Sequence, residues 1–403
     1  MRKEDMDYDI YCGIDIGKSK HYVTALDSSS ERRILSSPLR QDEREIEELL
    51  NRLCTLGKIL VTVDQYGDIG RLVVAVAQRK GIDVAHLSPR TFRKAADTYS
   101  ELKTDAFDSY VIADVSRSTP RMIELLVPGT EAHDELKALC TLRCEIIKER
   151  TSYYNRLHEN LQKISPPLEG LFAKEALHAD IALRLLEHYG GPTGFKKAGK
   201  SRVIAWAGKL KNHRARGVKA TGAVFEALQE MTVELPAAAI IEDEIKRLAR
   251  RLIELEALEK KYNVAIKTRT DTMPEVALLK SMPGMGDILA ASAVAEIGDI
   301  TRFRNADHLA SYAGVAPVKR ESGKSVKGSR KPRGGNRNLK GTLTKYAQIA
   351  CMHDPAAKAY YDKKRSQGKT HSQALLCLAR RRLEVIYAML SNGTYYKSLN
   401  KAA

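Results

Sequence analysis

Residues 9–87 alternate strand and helix signals in an order that few architectures accept. Asp9–Gly17 (DIYCGIDIG) and His21–Asp27 (HYVTALD) are β-rich and alternating, with a turn at Lys18–Lys20 between them, the pattern of a hairpin. Arg33–Pro38 supplies a third strand. Asp42 then opens an amphipathic helix to about Leu56, with Ile46, Leu49, Leu50 and Leu53 on one face. Ile59–Val63 is a short apolar run of the kind that forms a buried parallel strand. A helix over Ile69–Lys80 and a strand over Ile82–Leu87 follow. Three strands in a meander, then strand–helix units, predict a mixed sheet with helices on its faces.

This is the order of an RNase H-like fold, in which the first and fourth strands are neighbours. Asp15 lies in the first strand after Gly13-Ile14, and Asp64 ends the fourth, VTVD. Neighbouring strands would bring the two carboxylates together. In Lys103-Thr-Asp-Ala-Phe-Asp, Asp105 and Asp108 stand three apart, on one face of a helix. Four converging carboxylates repel one another unless cations neutralise them, and oxygen-only ligation suits Mg²⁺ or Mn²⁺. Two such ions about 4 Å apart activate a nucleophile and stabilise a leaving oxygen in phosphoryl transfer. Singly, each piece has a plain reading: a D-x-x-D pair is usually a solvated helix face, and an Asp after Gly-Ile is usually a turn or hydrogen-bonding residue. The signal is their joint placement.

Charge divides the chain. Residues 1–120 hold 18 Lys+Arg against 20 Asp+Glu, leaving 49 basic against 30 acidic residues beyond them and a net charge of +17 overall. A basic excess confined to one part of a chain points to a polyanion, and nucleic acid fits better than a membrane surface. No stretch approaches 18 consecutive apolar residues, and the start, MRKEDMDYDI, has no apolar run, so neither a span nor a signal peptide is expected. Six scattered cysteines, of which Cys140 and Cys144 have no second pair to complete a zinc site, read as reduced thiols of a cytoplasmic protein. The middle is helical. Asp134–Ile164 is one long helix. Ala237–Lys267 is another, with Ile241, Ile245, Leu248, Leu252, Leu255 and Tyr262 near 3.5-residue spacing. Glu259 interrupts that seam. A spacer packed within one chain and an oligomerisation element both fit the pattern. Final helices are expected at Ala356–Gln367 and His371–Leu390.

Two features of the last third suit a phosphate backbone. Leu279–Ala290 has the L-x-x-x-P-G-x-G-x-x-x-A form of a helix-hairpin-helix, in which the turn at Pro283, Gly284 and Gly286 offers backbone N–H groups to a phosphate. A tight Pro-Gly turn between packed helices is the alternative. Beyond it, Lys319–Lys345 carries ten Lys or Arg and one acid, Glu321, among several glycines: Lys319, Arg320, Lys324, Lys327, Arg330, Lys331, Arg333, Arg337, Lys340 and Lys345. This reads as an open cationic loop, either solvated or bound to nucleic acid. Ser322 lies at its entrance. A serine that attacks phosphorus needs cations around the developing charge, which Lys319, Arg320, Lys324 and Arg333 would supply. Ser325 and Ser329 share the loop.

Together these pieces resemble the DEDD-type transposases of the insertion-sequence-110 family, relatives of the Piv DNA invertase. The blocks that carry the resemblance are GIDIGKSKHYVTALD, ILVTVDQYGDIG, LKTDAFDSYVIAD, LLKSMPGMGDILAASAVAEIGD, ADHLASYAGVAPVKRESGKS, RGGNRNLK and DPAAKAYYDKKRSQGKTHSQALLCLARRR, which run over nearly the whole chain. The resemblance implies a RuvC-like DEDD domain at 8–125, a helical and coiled-coil region at 126–270, and a mainly α transposase domain with the helix-hairpin-helix at 271–395. It carries the DEDD set onto Asp15, Asp64, Asp105 and Asp108 and the catalytic serine onto Ser322. Many members have Glu where this chain has Asp64, which is one methylene shorter, so Asp68 is a further candidate ligand. The resemblance further implies a recombinase that excises and inserts its own element as double-stranded DNA through a circular intermediate. Guidance by a structured element-encoded RNA, action as a multimer across donor and target DNA, and a nucleoid location in a prokaryote belong to the same implication. Three other readings compete, one of them a purely architectural nucleic-acid binder, which would leave the carboxylate set without a role. A RuvC-like metal-dependent nuclease would use water in place of the serine. GIDIGKSKHYVTALD also resembles the first phosphate motif of actin-like ATPases, but no second phosphate or adenosine motif accompanies it.

Overall fold

The structure, a computed structural model, describes residues 7–30, 32–99, 104–126, 131–173, 179–210, 214–231, 233, 235–322, 326–330 and 334–397. The chain forms two compact units, Met1–Pro128 and Gly129–Ala403. In the first, β1 (Ile10–Asp15), β2 (Lys20–Asp27) and β3 (Arg33–Arg40) precede α1 (Glu43–Cys54), β4 (Ile59–Val63), α2 (Arg71–Arg79), β5 (Asp83–His86), α3 (Pro89–Tyr99), α4 (Asp105–Ser118) and a two-residue β6 (Glu124–Leu125). Among the described residues these strands make one six-stranded sheet in the order β3-β2-β1-β4-β5-β6. The meander β1–β2–β3 is antiparallel, β1 runs parallel to β4 and β4 parallel to β5, and β6 closes the edge antiparallel. The expected neighbours β1 and β4 are hydrogen-bonded partners.

The two-residue period of a strand sorts β1 and β4 cleanly. Ile10, Cys12 and Ile14 of β1, with Ile59, Val61 and Val63 of β4, pack into a core with Ile46, Leu50 and Leu53 of α1 and Val73, Val76 and Ala77 of α2. The opposite parity, Tyr11 and Leu60 among it, packs with Phe92 of α3 and Val111, Ile112 and Val115 of α4. Gly13, Asp15, Thr62 and Asp64 share that second parity, so they belong to the face that α4 covers. Asp42 caps α1, accepting from the Glu45 N–H at 3.1 Å, and Thr104 caps α4, accepting from the Phe107 N–H at 3.2 Å.

What seats α4 is a row of small residues. Gly13 pairs across to Thr24 on β2 and to Thr62 on β4. Above that row, Ser109 meets Thr24 with a hydroxyl–hydroxyl distance of 2.7 Å, and Ser116 meets Thr62 at 2.9 Å. Between them the helix backbone comes so close to Gly13 that an added Cβ would lie 2.4 Å from both the Ala113 nitrogen and the Ser109 carbonyl oxygen. Only a residue without a side chain fits there.

The second unit is helical: α5 (Glu131–Ile164), α6 (Pro166–Ala173), α7 (Ala179–Tyr189), α8 (Pro192–Ala198), α9 (Lys200–Ala207), α10 (Arg214–Gln229), α11 (Ala238–Thr270), α12 (Pro274–Lys280), α13 (Asp287–Ile297) and α14 (Ala306–Tyr312). A hairpin of β7 (Val318–Ser322) and β8 (Val326–Arg330) follows, then α15 (Arg337–His353), α16 (Pro355–Ser366) and α17 (His371–Asn392). The long helices α5 and α11 pair antiparallel and bridge two cores. Leu157, Leu161, Ile245, Leu248 and Leu252 enter a core with α6–α10, while Leu136, Cys140 and Ile266 enter one with α12–α17. The heptad-like seam of α11 is thus filled within one chain. Its discordant residue is accounted for: Glu259 ion-pairs with Arg143, at 3.0 Å, and with Arg150 of α5.

The basic segment departs from its expected form as an open loop. Val318–Ser322 and Val326–Arg330 pair antiparallel, Val318 opposite Arg330 and Ser322 opposite Val326. Val318 and Val326 favour extended backbone, and the ladder holds a single glycine, Gly328. Replacing Gly13 by Ala is expected to destabilise the first unit by about 1–3 kcal/mol, the usual range for overpacking a tight core. Hydrogen exchange checks this: β1 and α4 should lose amide protection while α11 and α17 keep theirs.

Candidate active site

The carboxylate site forms where β1 and β4 end beneath the start of α4. Asp15 is the last residue of β1, and Asp64 directly follows β4, whose Val63 pairs with Ile14. The Ile16 N–H donates to Asp64 Oδ1 at 3.1 Å, tying the two strand ends together. Asp105 and Asp108 occupy the first turn of α4, where the positive end of the helix dipole favours acidic side chains. The four expected carboxylates are therefore gathered on one face, Asp105 exposed and the other three partly buried.

Electrostatics report the same convergence. Burial first, then the charges of Asp64, Asp108 and Asp105, push the Asp15 carboxyl up to about 7. Burial also raises Asp64, opposed by the hydrogen bond it accepts from Ile16. Among the described residues, no group of three or more His, Cys, Asp or Glu side chains is arranged to hold a metal ion as it stands. The four carboxylates do not close on a common point. Their donor chemistry, all oxygen and all anionic, fits a hard divalent cation, and closing on one requires the side chains to draw together.

Supporting residues escaped the sequence reading. His21 is buried; its Nδ1 accepts from the Gly17 N–H at 3.2 Å and its Nε2 bonds Gln41 Oε1. Gln41 Nε2 donates to the Ile69 carbonyl at 2.6 Å, holding the segment that follows Asp64. Burial lowers the His21 pKa, which keeps it in the neutral form those bonds need. His86 donates from Nε2 to the Asp64 carbonyl at 3.1 Å. The signal available in the sequence was slight: a histidine at the start of an apolar strand.

In the second unit, α12 and α13 flank the turn that carries Pro283, Gly284 and Gly286. Met282 and Met285 are buried under it, while Gly286 is exposed at the N-terminus of α13. Gly284 has φ of +79°, and its Cβ position lies 3.0 Å from Ile349 Cγ2 of α15, so the turn packs tightly. Ser322 ends β7, with Lys319 and Arg320 on the same strand and Lys327 and Arg330 on β8. Arg337 is exposed and Lys340 partly buried on the first turn of α15. Lys324, Ser325, Lys331 and Arg333 lie outside the described residues, and Asp68 begins the helical turn before α2.

Residues 12–166 match a family described as transposase, and residues 276–362 match one described as the transposase IS116/IS110/IS902 family. The Streptomyces coelicolor insertion element IS110 uncharacterized 43.6 kDa protein is 36% identical over 97% of this chain and 96% of its own length. The chain belongs to the IS110 transposase family. The IS900 protein of Mycobacterium paratuberculosis is 32% identical over 96% of this chain and 97% of its own length. A pilin gene-inverting protein of Moraxella bovis is 34% identical over 28% of this chain and 36% of its own length. This IS110-family chain is thus a DNA transposase and recombinase. Among the described residues, no helix is long and apolar enough to cross a membrane.

The raised pKa of Asp15 makes a stability prediction for the metal-free transposase. An acid whose folded pKa is about 7, against an ordinary 3.8, loses stability as the pH rises through that window. Asp15→Asn removes the charge, so at pH 8 its thermal midpoint should exceed that of the parent. The difference should shrink as the pH falls through 7 towards 4. A midpoint below the parent's at pH 8 would count against carboxylate repulsion at the site.

Proposed function

We propose that this transposase excises and inserts its element by a two-part chemistry: a serine nucleophile at Ser322 and a metal-binding set at Asp15, Asp64, Asp105 and Asp108. The observation that carries the reading is the gathering of those four carboxylates at the ends of β1 and β4 and the start of α4, where burial and the neighbouring acids push the Asp15 carboxyl up to about 7. Asp15, Asp64, Asp105 and Asp108 would hold Mg²⁺ or Mn²⁺. When bound, the metal supplies neutralisation of the carboxylates and Lewis acidity toward phosphate oxygens.

Ser322 Oγ attacks the phosphorus of a DNA strand, its proton leaves to a base, and the P–O bond to one sugar oxygen breaks, releasing that sugar as a hydroxyl. The product is a serine–phosphate ester. A hydroxyl of the strand to be joined then attacks the same phosphorus, and Ser322 departs with its proton restored. Each step exchanges one phosphoester for another, so joining needs no nucleotide hydrolysis. Lys319, Arg320, Lys324, Lys327, Arg330, Lys331, Arg333, Arg337 and Lys340 neutralise the DNA backbone and the charge developing on phosphorus. The turn at Pro283, Gly284 and Gly286 grips a phosphate as a helix-hairpin-helix does. Support for these roles comes from the basic excess after residue 120 and the exposure of Gly286 at the start of α13.

In this reading the functional regions are 8–125, 126–270 and 271–395. The enzyme works as a homo-oligomer on donor and target double-stranded DNA, guided by an element-encoded RNA, in the cytoplasm near the nucleoid. The test is excision in cells from intact native flanks, scoring circle junctions by sequencing at matched soluble expression. Wild type should make junctions, and Ser322→Ala and Asp15→Ala should each reduce them by at least about 10³-fold, the scale of losing a nucleophile or its activating group. If junctions persist in Ser322→Ala but vanish in Asp15→Ala, the enzyme is a metal-dependent nuclease that uses water.

A further inference from the structure

The chain enters and leaves the basic hairpin through one tightly knitted point. Gly314 and Gly335 both have positive φ, +65° and +111°, and pack backbone against backbone: an added Cβ on Gly335 would lie 2.5 Å from the Gly314 Cα. The Asn336 N–H donates to the Tyr312 carbonyl at 2.7 Å, joining the end of α14 to the start of α15.

Beneath this crossing lies a buried carboxylate, Glu296 of α13, 6% exposed. Its Oε2 accepts from Asn336 Nδ2 at 2.7 Å and its Oε1 from Asn338 Nδ2 at 2.9 Å. Asn336 Oδ1 meanwhile accepts from the Leu339 N–H at 2.9 Å and caps α15, so the amide can face Glu296 only with its N–H₂ side. The Tyr312 hydroxyl accepts from the same Nδ2 at 3.0 Å and donates to the Glu296 main-chain carbonyl at 3.2 Å. The guanidinium of Arg302 lies 4.7 Å from the centre of the Tyr312 ring. The Glu296 carboxylate therefore holds the exit side of the hairpin through two asparagines, and Asn336 ties that side to the entry side through the Tyr312 hydroxyl. A buried acid is costly unless its oxygens are satisfied, and here two amides satisfy them. Nothing in the proposed chemistry uses this acid.

We propose that Glu296, Asn336 and Asn338 form a clamp that fixes the base of the basic hairpin, which makes Glu296 a positioning residue for strand cleavage and joining. The catalytic consequence rests on the reading of Ser322 as the nucleophile; the mechanical one does not. Ser322 ends β7, so an angular change at the base displaces it more than any other residue of that strand. Asn338 is exposed, so changing it does not threaten the fold.

The test uses the full-length chain and three variants. Glu296→Gln keeps shape but removes the charge and one of the two acceptors, so Asn338 can pair with it only by turning its own oxygen to the new amide, in a weaker neutral bond. Adding Asn338→Asp to Glu296→Gln restores the pairing with the polarity reversed, because the aspartate accepts from the glutamine. Asn338→Ala removes one arm alone. The hairpin is rich in Lys and Arg, so limited trypsinolysis reads its mobility. Glu296→Gln and Asn338→Ala should speed cleavage within 319–333 about tenfold, the effect of losing one hydrogen bond to a charged group, and lower junction yield in parallel. The double variant should restore both. Cleavage at the wild-type rate in both single variants, or no restoration in a double variant with a wild-type thermal midpoint, would overturn the clamp. If the single variants loosen the hairpin and the double restores it while Ser322→Ala still makes junctions, the clamp stands and the serine reading fails.

Discussion

The first unit depends on the contact between α4 and β1 at Gly13. The helix lies directly on the strand because position 13 has no side chain, and hydroxyl pairs at Thr24–Ser109 and Thr62–Ser116 hold it on both flanks. Each such pair contributes about 1 kcal/mol net, and more is at stake if a partner is left buried and unpaired. The seating sets the height and direction of the helix start. Asp105 and Asp108 are on that start, and Asp15 is two residues along β1 from the glycine, on the same side of the sheet. Close packing at one point thereby gathers acids that are up to 93 positions apart in sequence.

That gathering opposes folding. Burial and neighbouring acids that push the Asp15 carboxyl up to about 7 disfavour its charged form, which costs the metal-free protein stability above that pH. The surrounding structure absorbs the strain through the Ile16 N–H bond to Asp64, the neutral His21–Gln41 link to the Ile69 carbonyl, and two apolar cores on either side of the sheet. Local destabilisation at a site, held by a well-packed frame, is the usual signature of function. The second unit handles buried charge differently, satisfying Glu259 with two arginines and Glu296 with two asparagines.

Much of the first unit is legible in the sequence because its signals are local. Alternation, an apolar run at Ile59–Val63 and a capping Asp42 give the element order, and the order makes β1 and β4 neighbours. Strand parity then puts Asp15 and Asp64 on one face. What the sequence does not reveal is non-local. Gly13 looks like any strand glycine until α4 lies on it. His21 reads as the start of a hairpin strand rather than part of a hydrogen-bonded link. The basic segment reads as open loop because its Lys and Arg residues hide a ladder that depends on pairing at Val318 and Val326. Glu259 breaks a heptad in one helix and makes sense only with Arg143 and Arg150 opposite. The asparagines of RGGNRNLK read as polar loop residues, yet Asn336 caps a helix and both grip a buried acid.

The most direct measurement is Mn²⁺ binding to the full-length transposase, followed by the shift in thermal midpoint as the ion is titrated. The account predicts that Mn²⁺ raises the midpoint of the wild type, and that Asp108→Ala and Asp15→Ala each abolish the rise. An equal rise in the wild type and Asp108→Ala would show that α4 does not bring its carboxylates to the strand ends, and would contradict a metal-binding set shared between α4 and the sheet.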